Sequence, residues 1–125
     1  GVVDGEDGAI ALPVLEIETD PGLSFDYEGK YLGKGTREIC PARISEVTRD
    51  EAQMAALAAH AALGCDGYSR TDLVAADDGI YFIELNTLPG LTSASLLPQE
   101  LREAGIGFRE FLERQIAISR SRAGG

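Results

Sequence analysis

The chain has 125 residues, 44% of them hydrophobic, which suits one small domain that can bury a real core. Acidic residues outnumber basic residues 21 to 11, and the formal net charge is −10. With no stripe of lysine and arginine, this balance argues against a nucleic-acid partner, and the sequence has no run of about 18 apolar residues that would predict a membrane span.

The first part of the chain is predicted to hold two strands separated by a loop. Apolar residues alternate over residues 9–18, a pattern that predicts a strand. Residues 36–40 predict a second, short strand, which stops at Pro41 because proline has no backbone N–H to donate. Residues 19–35 are rich in turn-forming residue types and are interpreted as a loop.

An alanine-rich helix is predicted over residues 48–63. Thr48 is expected to cap its start, Glu51 to complete a capping box, and Gly64 to follow its end. We expect no catalytic role for His60, since no acid or nucleophile stands near it in the sequence to form a triad. The apolar residues that recur at helical spacing are Met54, Leu57, Ala58, Ala61 and Ala62.

A β-hairpin follows the helix. Asp77-Asp78-Gly79 is interpreted as a three-residue hairpin loop, in which Gly79 is free to take a positive φ. If Ala76 and Ile80 flank that loop, the numbers of paired residues sum to 156.

This register places four polar side chains on one face of the hairpin. Asp72 then faces Glu84 and Arg70 faces Asn86, and residues two apart in a strand share a face. Directly opposed like charges destabilise a sheet, so their presence calls for a function. Two carboxylates and a carboxamide oxygen suit Mg²⁺, which completes its shell with water and substrate phosphates. A solvated hairpin face with incidental charges is the alternative.

The C-terminal part is predicted to contain a long loop and two helices. Residues 86–93 form a small-residue loop at the end of the hairpin, a common place for substrate contacts. Helices are predicted over residues 97–104 and 108–120, with a frayed tail at residues 123–125. The inner stripe of the last helix is expected to be Phe108, Phe111, Leu112 and Ile116.

Three separated motifs carry a family resemblance. The segments are FDYEGKYLGKGTREICPA, LGCDGYSRTD and IYFIELNTLPGLTSASLLP. Together they resemble the C-terminal part of the ATP-grasp ligases and, within them, the D-alanine–D-alanine ligase family. The resemblance implies an α+β fold, a mostly antiparallel sheet packed by helices, over residues 1–122. It also implies that the N-terminal and central domains of a larger enzyme are absent here, so we expect a fragment.

The resemblance further implies an activity. Such a ligase phosphorylates a first D-alanine with ATP, forming an acylphosphate that the amine of a second D-alanine attacks, and the dipeptide serves peptidoglycan synthesis. The implied ligands are ATP, D-alanine and two Mg²⁺ ions, or Mn²⁺. The implied partner is the missing part of the enzyme, or a separate chain that supplies it, and a homodimer is possible. We expect a cytoplasmic protein, with Cys40 and Cys65 as reduced thiols because they form no CxxC motif.

The resemblance assigns roles residue by residue. It implies metal ligands at Asp72, Glu84 and Asn86, catalytic roles for Arg70, Gly90 and Tyr31, and second-substrate contacts from Lys30, Ser95 and Leu96. Tyrosine at position 31, where some relatives carry phenylalanine, is taken to favour amine acceptors over hydroxy acids.

The residues themselves leave simpler alternatives open. Arg70 could form a salt bridge to Asp72, Gly90 could serve the turn after Pro89, Ser95 could cap the next helix, and Lys30 could be a surface lysine.

Two other functions also remain open. The chain could belong to another ATP-grasp carboxylate–amine ligase, or it could be a non-catalytic remnant or binding module. As a fragment of a D-alanine–D-alanine ligase, the chain is expected to be inactive by itself.

Overall fold

The computed structural model describes residues 1–19 and 36–124. The predicted loop over residues 19–35, including Lys30 and Tyr31, therefore lies almost entirely outside the described residues. In chain order the elements of the described part are β1 (Val2–Gly5), β2 (Gly8–Ala11), β3 (Glu16–Thr19), β4 (Thr36–Ile39), α1 (Glu46–Ala62), β5 (Tyr68–Ala76), β6 (Gly79–Asn86), α2 (Leu96–Glu103) and α3 (Phe108–Ala123).

The strands form two antiparallel sheets. The larger sheet has the order β2-β1-β5-β6, and β3 pairs with β4 in a separate two-stranded sheet. The predicted α+β class with a mostly antiparallel sheet is confirmed. Among the described residues, no helix has the length and apolar character needed to cross a membrane.

The strand predicted over residues 9–18 is wrong, because the structure divides it between the two sheets. β2 ends at Ala11 and β3 begins at Glu16. Pro13 lies in the break, where a residue without a backbone N–H cannot continue the ladder. The break is nonetheless anchored, since Leu12 N donates to Gly1 O and Ala42 N donates to Val14 O, both at 2.8 Å.

Helix α1 begins two residues earlier than predicted. Ser45 is its N-cap, and the Ser45 hydroxyl accepts a hydrogen bond from Thr48 N at 3.1 Å, so the predicted Thr48 cap is wrong. The buried face consists of Ala52, Ala56 and His60. The apolar residues that recur at helical spacing do not form this face, and Met54 is 68% exposed.

The hydrophobic core lies between the larger sheet and the C-terminal helices. Its buried cluster is Val3, Leu12, Leu97, Leu101 and Phe111.

The stripe predicted for α3 is wrong except for Phe111, because Phe108, Leu112 and Ile116 are all more than a third exposed. Helix α3 also continues to Ala123, with Gly124 at its C-cap, so the frayed tail predicted from residue 123 is wrong for Ala123.

Candidate functional site

The β5–β6 hairpin carries the predicted acidic face. Asp72 pairs directly with Glu84, and Arg70 pairs with Asn86, as the register summing to 156 predicts. The predicted loop is wrong: Ala76 pairs with Gly79, so the turn has two residues, Asp77 and Asp78.

A β-bulge explains why the acids keep the predicted register although the turn is one residue shorter than predicted. Leu73 pairs with Phe82 while Asp72 pairs with Glu84, so Ile83 has no partner in the ladder. One extra residue in β6 cancels the residue missing from the turn, and the acids return to the predicted register.

Arg70 and Asp72 form a bidentate salt bridge on this face. Arg70 Nε lies 2.8 Å from Asp72 Oδ1, and Nη2 lies 3.2 Å from Oδ2. Both side chains are about a fifth exposed. Two parallel N–H···O bonds of this kind fix the plane of the guanidinium, so Arg70 is already oriented.

Asn86 braces the start of the following loop. Its Oδ1 accepts a hydrogen bond from Leu88 N at 2.9 Å, an Asx turn that directs the chain away from the strand. A carboxamide oxygen has two lone pairs, so Asn86 retains one for another partner.

The loop and the start of α2 bring together Gly90, Thr92 and Ser95. Ser95 occupies the N-cap position of α2, but its hydroxyl makes no capping bond. It accepts a hydrogen bond from Thr92 N at 3.1 Å and lies 2.7 Å from Thr92 Oγ1. A Cβ at position 90 would lie 2.7 Å from Ser95 Oγ, so any larger residue there must displace the Ser95 hydroxyl. Leu96 is the first helical residue, and its N–H belongs to the group that a helix leaves without internal partners.

A cleft of about 680 Å³ opens between β3, α1 and the hairpin. Arg70 and Asp72 line it, together with Leu96 and Glu100 of α2, and most of its remaining wall is apolar. Its volume falls within the range of small-molecule sites.

Glu100 is a residue that the sequence analysis missed. It is 4% exposed, and its Oε1 accepts a hydrogen bond from the Gly1 amine at 3.1 Å. Burial raises the pKa of the Glu100 carboxyl, although the Gly1 amine and Arg70 act to lower it. An acid within the apolar segment LLPQEL was the signal that could have identified it.

The residues fit a hard divalent cation. Within residues 1–19 and 36–124 no cluster of three or more His, Cys, Asp or Glu side chains could hold a metal ion, and the candidate set joins two carboxylates to the Asn86 amide. Asp72 and Glu84 are opposed across the two strands, and Asn86 is two residues further along the Glu84 strand. Carboxylate and amide oxygens are the ligand types that Mg²⁺ and Mn²⁺ take.

Comparison with known proteins gives consistent matches to one family. The family model described as D-ala D-ala ligase C-terminus matches residues 1–117. The chain is 45% identical over 120 residues to a D-alanine–D-alanine ligase of Syntrophobacter fumaroxidans, covering 95% of this chain and 39% of that protein. For the corresponding protein of Leptospira interrogans the identity is 46% over 120 residues, with coverages of 96% and 34%.

Two solved structures are similar to the described fold. The D-alanine–D-alanine ligase of Bacillus anthracis has 34% identity and a TM-score of 0.73, over 91% of this chain and 38% of that one. The VanG D-Ala:D-Ser ligase of Enterococcus faecalis has 39% identity and a TM-score of 0.77, over 94% of this chain and 34% of that one.

Fold and matches together define the C-terminal domain of a ligase of the ATP-grasp class. The chain belongs to the D-alanine–D-alanine ligase family and matches its C-terminal part. It spans 39% and 34% of the length of the two relatives named above.

Proposed function

We propose that this chain supplies the metal-binding and second-substrate half of an ATP-dependent D-alanine–D-alanine ligase site. The observation that carries the proposal is the direct pairing of Asp72 with Glu84 beside the Arg70–Asp72 salt bridge. A divalent cation bound between two such acids would offset the like-charge repulsion that their direct pairing brings.

In the proposed reaction the γ-phosphoryl group of ATP passes to the carboxylate of a first D-alanine, leaving ADP. The amine of a second D-alanine attacks the acylphosphate carbon, the phosphate leaves, and the amine loses a proton. Negative charge develops on oxygen in both steps, so fixed positive charge and N–H donors are the groups that the site must supply.

Asp72, Glu84 and Asn86 would hold Mg²⁺, or Mn²⁺ in its place. A bound cation would neutralise charge on the phosphate oxygens of the nucleotide. The ligands come from adjacent strands with a fixed register, which gives the site more precision than a loop would.

Arg70 is proposed to neutralise the acylphosphate and the tetrahedral oxyanion. Its guanidinium is held by Asp72 through two hydrogen bonds, so little reorganisation is needed when charge develops. The salt bridge that the sequence left as an alternative thus supports the catalytic role.

Gly90, Ser95 and Leu96 are proposed to contact the reacting carbonyl and the carboxylate of the second substrate. The backbone N–H groups at the start of α2 favour an anion there. The Ser95 hydroxyl is not committed to capping the helix and lies beside Gly90, which supports a substrate contact.

Lys30 and Tyr31 lie outside the described residues, and their roles rest on the YEGKY motif alone. We propose that Lys30 contacts phosphate or the substrate carboxylate and that Tyr31 belongs to a lid element.

The identity of the nucleotide, the cellular location and the assembly of the protein are also proposals. A D-alanine–D-alanine ligase of Bacillus anthracis complexed with ATP is 28% identical to this chain, with a TM-score of 0.73, which supports ATP as the phosphoryl donor. A cytoplasmic location, a homodimer and a partner segment or chain that supplies the remaining part of the site stay predictions.

The acceptor is the least constrained part of the proposal, because the similar VanG protein is a D-Ala:D-Ser ligase. The test is a chimera in which this chain replaces the matched part of the Syntrophobacter fumaroxidans relative. ATP-dependent phosphate release and dipeptide formation would be measured with D-alanine, D-serine, L-alanine and D-lactate.

We expect D-alanyl-D-alanine as the main product. Preference for another amino acid would replace the acceptor assignment. A folded, ATP-binding chimera that forms no dipeptide would favour the remnant or binding-module alternative.

A further inference from the structure

Asp4, His60 and Ser69 form a linked array of polar side chains away from the cleft. His60 Nδ1 lies 2.7 Å from Ser69 Oγ. His60 Nε2 lies 3.3 Å from Asp4 Oδ1, a close contact that does not meet the geometry of a hydrogen bond. We call these three residues the His60 network. It corrects the reason given for expecting no catalytic role at His60, because an acid and a hydroxyl do flank this histidine in the fold.

The His60 network has the composition of a nucleophilic triad but not the access that one needs. Ser69 is 0% exposed and His60 is 3% exposed, so no substrate can reach the hydroxyl. Its contribution must therefore come from what it holds in place.

The network joins β1, α1 and the start of β5. Asp4 of β1 contacts His60 of α1 through Oδ1, while its Oδ2 accepts a hydrogen bond from Gly67 N at 2.6 Å. Asp4 N also donates to Gly67 O at 2.8 Å. One carboxylate thus fixes the residue before β5 and contacts the buried face of α1.

The effect of the His60 network depends on where Ser69 lies along β5. Ser69 pairs with Val2 and is the last residue of β5 that pairs with β1 in the described part of the chain. Arg70 follows it on the opposite face, and from Arg70 to Ala76 β5 pairs with β6. The His60–Ser69 contact is therefore the last side-chain anchor of β5 to α1 before the functional segment.

We propose that His60 is a positioning residue that, with Asp4 and Ser69, holds the start of β5 against α1 and so sets the position of Arg70 in the wall of the cleft. Displacements of about 1 Å in a reacting group can cost 100-fold in rate, so an anchor at the neighbouring residue has a large effect. The proposal rests on the proposed function only for the chemical role of Arg70.

The test measures the geometry of Arg70 directly on the ¹⁵N-labelled 125-residue chain. The readout is the exchange with water of the Arg70 Nε–H, which donates to Asp72 at 2.8 Å, with its signal assigned from Arg70→Lys. In His60→Phe we expect exchange about fivefold faster, the size for losing about one net hydrogen bond. The Nε–H groups of Arg43 and Arg109 donate to Glu16 and Glu113 and serve as internal controls that should not change.

Ser69→Ala is the second variant, because it removes one hydroxyl and leaves the volume almost unchanged. It should also increase the exchange rate of the Arg70 Nε–H. If His60→Phe does not fold, Ser69→Ala alone tests the proposal. Unchanged Arg70 exchange in folded variants would overturn the proposal, as would equal acceleration at all three arginines, which would mean general loosening. Neither result depends on ligation, so a failed proposed function leaves this test intact.

Discussion

Asp72 pairs directly with Glu84, although the next residue along β5 pairs with Phe82 and leaves Ile83 as a bulge. The bulge places a change of register next to the two acids. It separates the half of β6 near the turn from the polar end of the strand. Bulges commonly lie beside active sites because they re-aim a side chain, and here the re-aimed side chain is Glu84.

Replacing Glu84 with glutamine should abolish ligation in the chimera while the fold is retained. Glutamine keeps the shape but removes the charge that a cation needs. We expect dipeptide formation to fall by at least about 100-fold, within the range for losing one group that stabilises developing charge. Asp78→Asn, a matched charge removal at the turn, should leave the rate unchanged. Full activity of Glu84→Gln at ordinary Mg²⁺ would contradict the metal assignment.

The 125-residue chain alone should make no dipeptide from ATP and D-alanine. Two carboxylates and an amide bind Mg²⁺ weakly without nucleotide phosphates to complete the shell. Catalysis here depends on positioned charge, so half of a site loses most of the effect. Steady dipeptide formation by the purified chain, followed by amino-acid analysis, would show that the site is complete within it.

Gly79→Ala should destabilise the hairpin. Gly79 has a φ of +145°, which costs a residue with a Cβ about 1–3 kcal/mol even though no atom lies within 4 Å of the added carbon. Gly124→Ala is the matched control, since Gly124 has an ordinary φ of −93° at the end of α3. Urea denaturation of both variants measures the difference, and equal free energies of unfolding would contradict the two-residue turn.

Gly90→Ala should be coupled to Ser95. The added Cβ would lie 2.7 Å from Ser95 Oγ and displace the hydroxyl from Thr92. We expect Gly90→Ala to cost less stability in a Ser95→Ala background, with a coupling energy of about 0.5–3 kcal/mol in a double-mutant cycle. Additive effects on the free energy of unfolding would mean that the added Cβ and the Ser95 hydroxyl do not compete for the same space.

Glu100→Gln should stabilise the chain increasingly as pH rises. Burial raises the pKa of Glu100 above its ordinary value of 4.5, so the native state holds this proton more tightly than the unfolded state. The wild-type chain therefore loses stability as pH rises from 4.5 through the raised value, whereas glutamine does not ionise. The difference in Tm between the two proteins should grow across that window, and exposed Glu103→Gln is the control. A constant difference would contradict the burial of an ionising group.

The polar face of the hairpin could be predicted from sequence because period-2 alternation and opposed acids both constrain the register. The turn could not, since Asp77-Asp78-Gly79 is compatible with loops of two or three residues, and the apolar run IYFI gives no sign of which residue is the bulge. The prediction at Asp72 and Glu84 succeeded because two one-residue differences cancelled.

The helices show a different limit of prediction from the sequence. In α1 the alanine-rich sequence offers little contrast in hydrophobicity between the faces of the helix, and the buried residues are Ala52, Ala56 and His60. Glu100 was missed, and the partners of His60 were not predicted, because both depend on residues distant in sequence, Gly1 for Glu100 and Asp4 for His60.

The face formed by Asp72, Glu84 and Asn86 is expected to bind a divalent cation, and paramagnetic broadening by Mn²⁺ measures that binding most directly. In the ¹⁵N-labelled chain, titration with Mn²⁺ should broaden the signals of these residues first. The same titration of Glu84→Gln should lose that broadening while its other signals stay in place. Broadening centred instead on the Asp77-Asp78 turn or on Glu16 and Glu18 would contradict the account, as would no localised broadening at all.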